Sequence, residues 1–174
     1  FDQAIHLSDR EAREYVSSVA FRVADVYMDK DPQTAAVFLQ RGLEGKKGFW
    51  GPEDLIIFNR LGILLRRAGK WREAAEEYRK ALQVAPNDEK LHYNLGMAYL
   101  EGKDFESARA SILKALALNP DLPRKSALVA VNLATVFVQT GDNMHALPLL
   151  RQALEQDPEN STAKEMLEQI GQND

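Results

Sequence analysis

From Leu55 to Asp88 the apolar positions fall on two helical stripes. Leu55, Phe58, Leu61 and Leu65 carry the first; Ala74, Ala75, Tyr78 and Leu82 carry the second. Steps of three and four residues keep such side chains on one side of a helix. Between the stripes lies Ala68-Gly69-Lys70, a turn in which Gly69 can take left-handed backbone at no Cβ cost. Pro86 ends the second helix, because it has no amide to donate and disfavours helix in the residue before it. Neither helix can bury its stripe alone, so the pattern predicts a helical hairpin that needs neighbours.

The same slots recur along the chain. Gly62 and Gly96, Ala74 and Ala108, Ala81 and Ala115, and Pro86 and Pro120 all stand 34 residues apart. Ala134, Ala146, Ala153 and Pro158 follow at a spacing of 38, the four extra residues fitting a connector at Pro123-Arg124-Lys125-Ser126. A fixed period across several slots marks an array of hairpins, each burying its neighbour's face. Small residues at Gly62, Gly96 and Ala134 are expected to admit the paired helix closely, opposite Ala74, Ala108 and Ala146. Tyr78 and Tyr99 are then expected to fill the space between adjacent hairpins.

The flanks are less regular. Ser8-Asp9-Arg10-Glu11 reads as a capping box that starts a helix near Asp9, with Val16, Val19, Ala20, Val23, Ala24 and Tyr27 at helical spacing. Asp31-Pro32 starts a second helix, proline costing nothing in a first turn. Ala20, Val23, Ala24, Tyr27 and Ala36 precede Phe58, Leu61, Gly62, Leu65 and Ala74 by 38 residues, which suggests a worn fourth copy with Gln40 and Gly48 in slots meant for an aromatic and a proline. Gly45 to Pro52 reads as a loop. At the other end Ser161 is expected to cap a last helix striped by Ala163, Met166, Leu167 and Ile170.

These residues resemble the tetratricopeptide repeat family. Its pattern is supplied by Phe58, Leu61, Gly62, Leu65, Ala74, Tyr78, Ala81 and Pro86, then by His92, Leu95, Gly96, Tyr99, Ala108, Ile112, Ala115 and Pro120. The third copy supplies Ala130, Leu133, Ala134, Phe137, Ala146, Leu150, Ala153 and Pro158, departing from the pattern at Ala130 and Ala134. The resemblance covers about two thirds of the chain. It implies an all-α fold, a right-handed superhelical array of antiparallel helix pairs (a TPR solenoid) with a C-terminal capping helix. The expected division is 1–54 for N-terminal helices, a degenerate repeat and a loop; 55–160 for three repeats (55–88, 89–122, 127–160); and 161–174 for the capping helix and tail.

In that architecture the first helices of successive hairpins line a concave groove. Arg60, Asn94 and Asn132 share one slot in the full copies, and Arg22 holds it in the worn copy. An amide side chain donates and accepts at once, so Asn94 and Asn132 suit the backbone of an extended peptide, as the resemblance also implies. Arg22 and Arg60 suit acidic groups. Beside them the expected groove includes Asn59, Ile63, Lys90, Tyr93, Met97 and Thr135, with Leu128 and Val131 adjoining. Met97 would adapt to varied side chains. With Lys90 the one matching cation, the groove is expected to take an amphipathic helix or hydrophobic segment rather than a carboxylate terminus. Solvated helix polars are the plain alternative for the same residues.

Composition narrows the rest. Across 174 residues the net charge is −4, with 45% hydrophobic and 28% charged residues, which fits a globular chain and argues against general nucleic-acid binding. There is no cysteine, which removes thiol chemistry and disulfides. No apolar run approaches the roughly 20 residues of a membrane span, so no membrane insertion is expected. His6, His92 and His145 are scattered, and no phosphate loop, zinc spacing or nucleophile motif is present. Lys46 and Lys47 beside Trp50 could touch an acidic partner or RNA. The reading is a non-catalytic scaffold without cofactor or metal, binding a protein or peptide partner and located in the cytoplasm. Two alternatives stay open: the output arm of a bacterial two-component response regulator, whose upstream part is missing because the chain opens on Phe1, and a self-associating homodimer.

Overall fold

The computed structural model describes residues 9–172, and every regular element among them is helical. Helices α1 (Asp9–Tyr27) and α2 (Pro32–Gly45) form one hairpin, and α3 (Leu55–Arg67) and α4 (Trp71–Val84) form a second. Helices α5 (Glu89–Glu101) and α6 (Phe105–Leu118) make a third, α7 (Ala127–Gln139) and α8 (Asn143–Gln156) a fourth, and α9 (Ser161–Gly171) follows alone. The chain divides into two compact units, residues 1–86 and 87–174. The first holds the hairpins α1/α2 and α3/α4; the second holds α5/α6, α7/α8 and α9.

Local chemistry places the helix starts. Asp31 accepts from the Thr34 amide at 3.1 Å, with Pro32 in the first turn. Asp104, Ser126 and Asp142 cap α6, α7 and α8 the same way, each accepting from the amide three residues on. Such caps satisfy amides that the first turn leaves unbonded. The cap of α9 is Asn160, which accepts from the Ala163 amide at 3.0 Å; Ser161, the expected cap, is already helical. The capping serine expected for α1, Ser8, and His6 lie outside the described residues.

Three hairpin turns share one device. Gly69 takes φ +74°, Gly141 takes φ +70°, and the equivalent position of the third hairpin takes φ +58° although it is Lys103. Left-handed backbone is a glycine conformation, so Lys103 is strained where its counterparts are not. The first hairpin turns differently: the Tyr27 carbonyl accepts from both Lys30 and Asp31 amides. From the last residue of one helix to the first of the next, this turn runs 27 to 32 against 67 to 71, yet Ala24 lies only 11 residues before buried Ala35, where Gly62 lies 12 before Ala74. The packing slots of α2 therefore shift by one. Ala35, Leu39, Gly42 and Leu43 are buried, while Gln40 is exposed. Leu39, not Gln40, occupies the position of Tyr78, so the slot read as worn is filled.

The close approaches also differ in detail from expectation. A Cβ at Gly62 would strike the ring of Tyr78, which is fully buried. A Cβ at Gly96 would come within 2.7 Å of Ile112 Cδ1 and 3.3 Å of the Ala108 carbonyl. Both glycines admit a large side chain from their own hairpin. Tyr78 thus packs within its hairpin, over Gly62, where it was expected to fill space between hairpins.

The connector after α2 is held in place by buried polar contacts. Lys46 is buried, and its ammonium lies 2.7 Å from both carboxylate oxygens of Asp54 and 3.2 Å from Glu53. Asp54, 2% exposed, also accepts from the Gly51 amide at 2.9 Å. Burial alone would lower the Lys46 pKa, but hydrogen bonds to Asp54 and Glu53 outweigh it and hold the ammonium above its usual value. Trp50 donates to the Leu43 carbonyl at 2.8 Å and meets Phe58 edge-on at 5.2 Å. Lys46 is therefore committed to the connector's own ion pair and the Trp50 N–H to Leu43, while Lys47, the third residue of that cluster, is exposed.

Candidate functional site

The candidate groove residues divide between the two units. Arg22, Asn59, Arg60 and Ile63 belong to the first; Lys90, Tyr93, Asn94, Met97, Asn132 and Thr135 belong to the second.

In the first unit Arg22 and Arg60 are exposed, and Asn59 and Ile63 are half-buried. Arg60 Nη1 lies 2.7 Å from Asp25 Oδ1, which ties α3 to α1 across their first-helix faces. Both groups are about half exposed, so the pair contributes well under 1 kcal/mol. Asp25 was not singled out in the sequence. Its only signal is its place three residues after Arg22, on the same side of α1.

In the second unit Tyr93 and Asn132 come together. Asn132 Nδ2 donates to the Tyr93 hydroxyl at 3.0 Å, linking α7 to α5. The geometry leaves the Asn132 carbonyl as an acceptor and the Tyr93 hydroxyl proton as a donor. Such a pair matches one residue of an extended chain, whose own N–H and C=O point to the same side and need one of each. Leu128, 68% exposed, stands one turn before Asn132 on the same side of α7. Lys90 is exposed on α5, one turn before Asn94.

Two expected groove residues are placed elsewhere. Met97 is only 3% exposed and packs inside, so it offers no adaptable surface. Thr135 donates to the Val131 carbonyl at 2.8 Å and contacts Met166 Sδ of α9 at 3.9 Å. Val131 is buried as well. Helical spacing put these residues near the groove; the helices that cover them are not visible in that spacing.

A second polar cluster joins α6 to the start of α8. Arg109 donates to Asp142 Oδ2 at 2.7 and 3.1 Å, and His145 Nδ1 lies 2.8 Å from Asp142 Oδ1. The His145 ring stacks on Phe137 at 5.0 Å. The bond to His145 and then those from Arg109 hold the Asp142 carboxyl down at about 2. With Glu106, Thr140, Gly141 and Met144, the Arg109, Asp142 and His145 side chains line a cavity of about 400 Å³. Asp142 is first a helix cap, and the chemistry here is that of a reinforced cap. Among the described residues no cluster of three or more His, Asp or Glu could hold a metal ion. No described helix is long and apolar enough to cross a membrane.

Comparison with known proteins agrees with this architecture. A family model described as tetratricopeptide repeat matches residues 59–123 and 131–167, more than half of the chain. The chain is 34% identical over 68 residues to the peroxisomal targeting signal receptor of Candida albicans, covering 39% of this chain and 12% of that protein. It is 31% identical over 103 residues to BBSome complex member BBS4 of Bos taurus, covering 59% and 18%. The chain thus spans less than a fifth of the length of these relatives. Among solved structures, YrrB, a TPR protein with an unusual peptide-binding site, superposes with a TM-score of 0.68 at 17% identity, over 87% of this chain and 74% of that one. The first TPR of Spaghetti (RPAP3), bound to an HSP90 peptide, superposes with a TM-score of 0.59 at 24% identity, over 70% and 93%. At these identities the structures show a common fold. The matched proteins include fungal and mammalian ones, so they carry no indication of a bacterial source or a cytoplasmic location.

Proposed function

Because the chain belongs to the tetratricopeptide repeat family, we propose that it acts in protein–protein interaction as a non-catalytic scaffold, holding an extended segment of a partner against the first helices of its hairpins. The observation that carries this reading is the Tyr93–Asn132 pair, joined by a 3.0 Å hydrogen bond from the Asn132 amide to the Tyr93 hydroxyl, which offers one further donor and one further acceptor beside exposed Leu128. An extended backbone satisfies both polar groups, and an apolar side chain of the segment covers Leu128. The contact is uncharged at its centre, which favours a hydrophobic or mixed segment over an acidic tail. The family likeness supports the reading, since one similar structure holds a bound peptide.

The test is a selection from a displayed library of random peptides, followed by affinity measurement on the chain and on Asn132→Ala and Tyr93→Phe. Each substitution is expected to weaken the selected peptides about tenfold, the effect of losing one well-made hydrogen bond in a closed contact. Thermal stability is expected to stay nearly constant. Peptides bound equally well by both variants would overturn the reading.

A further inference from the structure

The turn between α3 and α4 differs in charge from the equivalent turns of the other hairpins. Arg66 to Arg72 holds four cations and no acid. The matching residues of the third hairpin, Leu100 to Glu106, hold one lysine against Glu101, Asp104 and Glu106; those of the fourth, Val138 to Met144, hold Asp142 and no cation. In the first hairpin the turn carries Asp29, Lys30 and Asp31. The contrast is sharpest where the second helix begins. Asp31, Asp104 and Asp142 each cap that helix by accepting from the amide three residues on, whereas the residue before α4 is Lys70, whose side chain caps nothing.

Helix energetics account for only part of this. Arg66 and Arg67 lie in the last turn of α3, where the negative end of the helix favours cations. Lys70 and Arg72 stand in the opposite field, at the positive end of α4, and both are exposed. Lys70 pairs with Glu73 at 3.5 Å, but both side chains are more than half exposed, so solvent screens the contact. Among the described residues neither Arg67 nor Arg72 is held by a carboxylate. The Arg72 guanidinium lies over the Trp71 ring, 4.3 Å from its centroid, which steadies the guanidinium plane and leaves its N–H edge to solvent. For the fold, Lys70 and Arg72 are a cost at this position.

We propose that this turn docks an acidic segment of a partner protein, whose carboxylates meet Arg67, Lys70 and Arg72. Charge complementarity selects the occupant. The patch is short: on α4 it gives way at once to exposed Glu73 and Glu76, and the chain as a whole carries −4. The field is therefore positive only locally. A nucleic-acid backbone or an anionic lipid surface is negative over a longer reach and meets those glutamates too. A run of a few Asp or Glu residues fits within the turn. Each arginine can take a carboxylate through two parallel N–H bonds, where lysine acts as a point charge. The contact lies in the first unit and involves neither Tyr93 nor Asn132, so it is separate from the peptide contact proposed above.

The probes are a labelled Asp/Glu-rich peptide and its Asn/Gln counterpart of equal length, titrated against the chain. The acidic peptide is expected to bind about tenfold more tightly or better, and to weaken about tenfold between 0.05 and 0.5 M salt. R67S/R72S is expected to lose about tenfold in affinity at low salt. Lys70→Asp is the sharper variant, because it supplies the cap that the other hairpins have. It is expected to raise the melting temperature and still to lose about tenfold in affinity. Lys114→Asp makes the same change of net charge at an exposed site on α6 and is expected to leave binding unchanged, as is Asn132→Ala. Equal affinity for the two peptides, indifference to R67S/R72S and Lys70→Asp, or an equal loss at Lys114→Asp would overturn the proposal. So would tighter capture, through the same residues, of a single-stranded oligonucleotide or of phosphatidylserine vesicles.

Discussion

Single residues hold two opposite electrostatic positions. Asp142 has a folded pKa of about 2 against an ordinary 3.8, so its stabilisation is complete above 3.8 and is lost as pH falls through 2. Asp142→Ala is expected to cost about 1–2 kcal/mol at neutral pH through the lost cap, and thermal melts against pH should then be flatter below pH 4. Glu77 runs the other way. It is buried beside Lys80 at 2.7 Å, and burial, outweighing that partner, raises its carboxyl above 4.5. A raised acid is a penalty above its folded pKa that is relieved as pH falls toward 4.5. Glu77→Gln is expected to remove that relief from the same melts. Lys103 belongs to this scale too. Its φ of +58° carries a steric cost that glycine lacks, partly offset by the extra freedom glycine has when unfolded. Lys103→Gly should therefore stabilise by about 0.5–1 kcal/mol in chemical denaturation, and no change would mean that the turn relaxes around lysine.

At the scale of elements, the hairpins differ in what their small residues face. Tyr78 over Gly62 is a rigid ring with nowhere to move, whereas Ile112 over Gly96 can swing its terminal carbon. Alanine gains about 1 kcal/mol of helix propensity at either site. Overpacking of about 1–3 kcal/mol should override that gain at Gly62 and nearly cancel it at Gly96. Denaturant midpoints of Gly62→Ala and Gly96→Ala check this, and equal values would sink it. The connector after α2 makes a similar point. Asp54→Ala would strand the buried ammonium of Lys46, and a cost of about 3–5 kcal/mol is expected. Glycines and proline made that stretch read as a loop; its ion pair, eight residues apart, is a tertiary feature.

For the whole molecule, the proposed peptide contact has an uncharged centre, so its affinity should change less than about threefold between 0.1 and 0.5 M salt. A binding constant that collapses with salt would point instead to Lys90 or Arg22 as the principal contact.

The period of 34, the small residues at fixed slots and the terminating prolines were enough to identify the family and an all-α array of hairpins, because these are local steric requirements repeated in each copy. The starts of α2 and α9 were legible within a residue, since in each a capping side chain bonds an amide three positions away. The candidate site was legible only in part. Asn132 and Tyr93 could be named from their slots, but their bond to each other, the Asp25 partner of Arg60 and the burial of Met97 depend on how one helix lies against the next. The same holds for Leu39 in place of Gln40, where the packing slots of α2 fall one residue earlier relative to α1 than in the next hairpin. The residue pattern states which face of a helix is apolar; only packing decides which faces are covered, and that is what buries Met97 while Leu128 stays exposed.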